Sequence, residues 1–140
     1  MLFRSEFNIR VVLTGTKYDS ALVDSIIENT SSKPITASGR TGILELASLI
    51  KRCRIYITPD SAPMHIASAV GTPFIALFGP TDPARHVAAS KNYIVLKKDI
   101  KCSPCYSPKC SKKINCMNGI PVDDVFNAVK GIISKETVET

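Results

Sequence analysis

At 140 residues, with 44% hydrophobic and 21% charged content, the chain has the composition of an ordinary folded domain with a buried core, which excludes overall disorder. No apolar run reaches the roughly 18 residues a spanning helix needs, and the opening Met1-Leu2-Phe3-Arg4-Ser5-Glu6 lacks a sustained apolar stretch, so neither membrane spanning nor export is expected. The formal charge of +6 sits in one segment: Lys91 to Lys113 carries seven lysines against Asp99 alone, and the rest balances to zero.

In chain order, Ile9 to Leu13 reads as a buried strand running into the loop Thr14-Gly15-Thr16. Asp19 or Ser20 then caps a helix whose stripe is Leu22, Val23, Ile26 and Ile27, ending near Ser31-Ser32 ahead of Lys33-Pro34. A short strand at Ile35 to Ala37 leads through Ser38-Gly39-Arg40-Thr41-Gly42 into a second amphipathic helix from Ile43 to Cys53. Arg54 to Thr58 is a strand, Ser61 to Val70 a helix and Pro73 to Phe78 a buried strand. Tyr93 to Lys97 is a further strand, 101–118 a Cys-rich excursion, and Pro121 to Ile133 a closing helix with Asp123 and Asp124 at its positive end.

Strands and helices alternate, which predicts a single α/β domain over 1–140: a Rossmann-like parallel sheet with helices on both faces. Ligands of such sheets bind at the carboxyl ends of the strands. The loops of interest are therefore Thr14 to Lys17, Ser38 to Gly42, Pro59 to His65 and Gly79 to Arg85.

The densest signal is Thr58-Pro59-Asp60-Ser61-Ala62-Pro63-Met64-His65, where a strand ends on an acid and a helix starts within two residues. Ser61 or Asp60 suits the N-cap and Pro63 the first turn. Unpaired N–H groups at that start attract phosphate, His65 adds a donor or a positive charge, and Asp60 can accept hydrogen bonds from sugar hydroxyls. The competing reading is a plain capped helix with His65 on its surface. The next strand ends on Gly79-Pro80-Thr81, which sets a turn and a hydroxyl beside the first loop.

The blocks Pro59-Asp60-Ser61-Ala62-Pro63-Met64-His65 and Gly71-Thr72-Pro73 through Phe78-Gly79-Pro80-Thr81-Asp82-Pro83 resemble the signature of glycosyltransferase family 9, the heptosyltransferases of lipopolysaccharide core assembly. The likeness extends to Val12-Leu13-Thr14-Gly15, to Gly39-Arg40-Thr41 with Leu44 to Ile50, and to Cys102-Ser103-Pro104-Cys105 with Cys110 and Cys116-Met117. It implies one lobe of a two-lobed GT-B glycosyltransferase: the C-terminal, nucleotide-sugar-binding lobe, with the N-terminal acceptor lobe absent. It further implies ADP-heptose as donor, a lipid-linked sugar acceptor held by the other lobe, and inverting transfer that needs no metal or other cofactor. Asp60 would bind heptose hydroxyls, Ser61, Ala62, Pro63, Met64 and His65 the diphosphate, and Thr41 would line the adenine pocket. Gly79 and Thr81 would lie beside the donor. No catalytic residue is expected within the chain, because the base that deprotonates the acceptor belongs to the other lobe, and the chain alone should bind without transferring. Ala62 stands where the family usually has glycine, and His86-Val87 replaces an expected Gly-Pro.

Cys102, Cys105, Cys110 and Cys116 admit a structural zinc site, two disulfides, or thiols packed as small hydrophobes; Cys53 reads as a core residue. The lysine-rich segment reads as solvated surface or as a peripheral contact with an anionic membrane. Nucleic acid is not expected, because only Tyr93 and Tyr106 interleave with those lysines. The corresponding location is cytoplasmic, at the inner face of the inner membrane. The alternative from another class is a stand-alone nucleotide-binding or scaffold domain without transferase activity.

Overall fold

The computed structural model describes residues 2–87, 92–110, 112 and 116–136. It divides into two compact units, Met1–Leu46 and Ala47–Thr140.

The first unit opens on a short helix, α1 (Leu2–Phe7), that the sequence pattern does not announce. The strand β1 covers only Val12–Leu13, shorter than the aliphatic run predicts. Asn8, immediately before that run, has a φ of 50° in the left-handed region. β1 pairs in parallel with β2 (Ile35–Thr36), and bonds from Ile35 N–H to the Val11 carbonyl and from Ala37 N–H to Leu13 extend the ladder.

A 3-10 turn at Lys17–Asp19 precedes α2 (Ser20–Glu28). Asp19 occupies the N-cap of α2, but its carboxylate turns back to accept from the N–H and hydroxyl of Thr16, both at 2.7 Å. Those bonds lower its pKa below the usual aspartate value. Of the predicted stripe, Val23 is buried while Leu22 is 64% exposed. The loops after β1 and β2 are tied together: Gly39 N–H donates to the Gly15 carbonyl and the Ser38 hydroxyl to Thr16. Gly39 adopts φ +68°, and a Cβ there would meet the Lys17 backbone at 3.1 Å, so glycine is required on both counts.

The helix α3 (Ile43–Lys51) straddles the boundary of the units. Glu45 caps it by accepting from Gly42 N–H at 2.6 Å. In the second unit, β3 (Tyr56–Pro59), β4 (Phe74–Phe78) and β5 (Tyr93–Lys97) form a parallel sheet in that order. Phe74, Ile75, Ala76 and Phe78 of β4 are fully buried. Consecutive strand residues face opposite sides, so the sheet is covered on both faces. Two helices pack on it, α4 (Ala62–Val70) on β3 and β4, and α6 (Val122–Glu136) on β4 and β5.

Gly71, in the left-handed conformation, ends α4 and donates to the Ala67 and Ser68 carbonyls. The chain then enters β4 past Thr72, whose buried hydroxyl donates to the Ile50 carbonyl at 2.9 Å. A short helix, α5 (Pro83–His86), lies where a loop is predicted, because Pro83 fits a first turn and Asp82 caps it through Ala84 N–H. The architecture is α/β, and among the described residues every strand pair is parallel and the pairs fall into two sheets.

Candidate functional site

The parallel pairing of β3 with β4 places Pro59 opposite Leu77, so the carboxyl ends of two adjacent strands lie side by side. Asp60 extends that ladder by one bond, its N–H donating to the Leu77 carbonyl at 3.3 Å. The Asp60 side chain is 17% exposed, and its Oδ2 faces His86 Nδ1 at 3.9 Å. His86 arrives at the end of α5, beyond the Gly79 to Asp82 turn. The two strand-tip loops therefore meet at an acid and an imidazole.

Ser61 is the N-cap of α4 in extended backbone, yet its hydroxyl makes no cap bond. It turns instead to the Pro59 carbonyl and the Thr58 hydroxyl, each at 3.2 Å. The start of α4 thus carries no side-chain acceptor, and Pro63 sits in its first turn. Met64 is fully buried and its N–H goes to the Ser61 carbonyl at 3.0 Å, so this residue anchors the helix to the core. Ala62 and His65 are exposed. What remains for a ligand is the Ala62 amide, the His65 imidazole and the Asp60 carboxylate.

The second loop is held from above by the Cys-rich segment. Ser103 donates its hydroxyl to the Gly79 carbonyl at 2.7 Å, and the N–H groups of Cys105 and Tyr106 both donate to the Pro80 carbonyl. A Cβ on Gly79 would meet Met117 Sδ at 2.8 Å and Cys116 Sγ at 2.9 Å, so only glycine lets the segment sit this close. The Thr81 hydroxyl is buried and has no hydrogen-bond partner among the described residues. A buried hydroxyl in that state is an unusual expense for a fold unless something else supplies the bond.

Thr41 belongs to the first unit, in the turn leading to α3, while the other predicted residues belong to the second. His86, Tyr106 and Ser103 are the contributors that sequence reasoning did not single out. Their only advance signal is position, downstream of a strand tip and inside a Cys-rich excursion. Nothing local in the sequence pairs His86 with Asp60.

For the four clustered cysteines the sequence leaves zinc, two disulfides and free thiols open. Cys102, Cys105, Cys110 and Cys116 are all described, yet among the described residues no three His, Cys, Asp or Glu side chains could share a metal ion. No disulfide joins these cysteines either. Cys116 lies against Gly79, while Cys105 and Cys110 are exposed, Cys105 being fastened through its backbone to Pro80. Cys53 is only partly buried; its thiol donates to the Leu49 carbonyl at 3.3 Å, and burial pushes its pKa up. Of the lysine-rich segment, Lys91 and Lys113 lie outside the described residues, and no described helix is long and apolar enough to cross a membrane.

A family model described as glycosyltransferase family 9 (heptosyltransferase) matches residues 2–115. Lipopolysaccharide heptosyltransferase 3 of Escherichia coli is 36% identical over 134 residues, which cover 93% of this chain. The chain spans 39% of that relative's length. A glycosyl transferase family 9 structure from Veillonella parvula superposes with a TM-score of 0.84 at 25% identity, over 95% of this chain and 39% of that one. The ADP-heptose lipopolysaccharide heptosyltransferase II of E. coli shares the fold, with a TM-score of 0.76 at 23% identity over 91% of this chain and 37% of its own.

Proposed function

Because the chain belongs to glycosyltransferase family 9, the heptosyltransferases, we propose that it is the C-terminal, donor-binding lobe of a GT-B enzyme that transfers heptose to a lipopolysaccharide core acceptor. The donor in this reading is ADP-heptose or a related nucleotide-sugar. The observation that carries it is the Asp60 carboxylate, 17% exposed at the tip of β3, beside an α4 start that has no side-chain cap.

A carboxylate accepts hydrogen bonds and cannot donate, which suits sugar hydroxyls and repels phosphate. The first turn of α4 offers the opposite character, since its amide dipoles and His65 favour an anion. Acid and helix start together sort the two ends of a nucleotide-sugar. As the bond between sugar and diphosphate breaks, charge grows on the diphosphate, and preorganised donors at α4 would stabilise it. The Thr81 hydroxyl supplies a further unspent bond on the neighbouring loop. Thr41 is assigned to the adenine pocket and Gly79 to the loop beside the donor, both on the likeness of motif. Transfer of this kind calls on no cofactor, and the acceptor, with the base that deprotonates it, belongs to the other lobe. The lysines of the 91–113 segment give the lobe a cationic stretch suited to the anionic inner face of the inner membrane.

Calorimetric titration with ADP, ADP-heptose, UDP-sugars and GDP-sugars tests the proposal. Asp60→Ala is expected to weaken ADP-heptose roughly ten- to a hundredfold, the range for a hydrogen bond to a charged group. His65→Ala is expected to weaken ADP and ADP-heptose alike. Equal binding by the native chain and both variants would remove these residues from the site.

A further inference from the structure

We propose that His86, braced by Tyr106, is the positioning residue of Asp60 and sets how strongly the lobe prefers a sugar-bearing nucleotide over the bare nucleoside diphosphate. The inference rests on the donor reading above and adds to it a residue that the motifs do not contain.

A carboxylate that is only 17% exposed is costly unless a complementary group faces it. His86 Nδ1 meets that need at 3.9 Å from Asp60 Oδ2. This distance is too long for a formed hydrogen bond and short enough for electrostatic orientation. The difference matters for binding. A closed pair would take one of the carboxylate's acceptor sites, whereas a partner at 3.9 Å holds its direction and leaves every acceptor site open to sugar hydroxyls.

The imidazole is itself held from two sides. Along the chain it closes α5, whose first turn is capped by Asp82 and whose end is fixed by Val87 N–H to the Pro83 carbonyl at 2.9 Å. Across the chain its ring meets Tyr106, with centroids 6.0 Å apart and planes tilted by 44°, an arrangement typical of favourable aromatic contact. Tyr106 has φ +54°, a conformation that non-glycine residues seldom adopt. It stays there because its N–H is bound to the Pro80 carbonyl at 2.8 Å beside the matching bond from Cys105. The order of support therefore runs from the Cys-rich segment to Tyr106, to His86, to Asp60. This gives that segment a task which needs neither metal nor disulfide.

The test is the ratio of ADP-heptose affinity to ADP affinity, measured by calorimetry on the full chain. Four forms are compared: native, His86→Ala, His86→Phe and His86→Asn, each checked by circular dichroism for an intact melt. Asparagine can present an amide N–H near the place of Nδ1, whereas phenylalanine keeps ring contact with Tyr106 and offers no donor. The ratio is expected to fall about tenfold in the Ala and Phe variants and to recover in the Asn variant. A native-like ratio in His86→Ala, or a ratio in His86→Asn as low as in His86→Ala, overturns the positioning role and leaves the donor reading standing. A native chain that binds ADP-heptose no better than ADP overturns the donor reading and this inference with it.

Discussion

Two cysteines show how far a side chain's chemistry depends on its setting. Cys53 donates its thiol to the Leu49 carbonyl, and burial raises its pKa, whereas Cys105 is exposed on the segment above the Gly79 turn. Only the thiolate attacks an alkylating agent, so a raised pKa and restricted access both slow the reaction. Iodoacetamide at mildly alkaline pH is expected to label Cys105 well before Cys53, followed by peptide mass spectrometry; prior labelling of Cys53 would contradict its placement. The strand-to-helix turn at Asp60 and Ser61, with His65 in the first turn of α4, was legible because strand, acid and proline follow one another in the chain. The inward turn of Met64 was not, since an apolar residue in a first helical turn looks the same whether it faces ligand or core. The Ser61 hydroxyl likewise bonds away from the helix it was expected to cap, toward Thr58 and Pro59.

The helices and strands near the site depend on their stop signals as much as on their apolar faces. Gly71 ends α4 at φ +77° with nothing within 4 Å of where a Cβ would project. Alanine there meets no obstacle, so any loss of stability reports the backbone alone. Gly71→Ala is expected to destabilise the chain by about 1 kcal/mol in urea denaturation. No change would mean that the cap relaxes freely to another conformation. Where the sequence was read well, the elements carry a clear hydrophobic pattern, as in the buried run of β4 and in α4 with its Gly71 stop. Where it was read less well, the cause is local. Asp82 and Pro83 nucleate α5, and the Asn29 side chain caps α2 by donating to the Ser25 carbonyl at 2.8 Å.

As a whole, the chain spans 39% of the length of the E. coli heptosyltransferase 3 relative. Incubated with ADP-heptose and a heptose-acceptor core oligosaccharide, it is expected to bind the donor and form no heptosylated product by mass spectrometry. Product formed by this chain alone would place the base within it. The parallel α/β class, the family and the two strand-tip motifs were determined by the sequence itself, because hydrophobic periodicity and short contiguous motifs are local properties of a chain. The division of the strands into two sheets and the approach of His86 to Asp60 were decided only by tertiary structure. That acid and that imidazole stand 26 positions apart in the sequence. What brings them within 3.9 Å is the parallel register of β3 and β4, a non-local pairing that no window of neighbouring residues encodes.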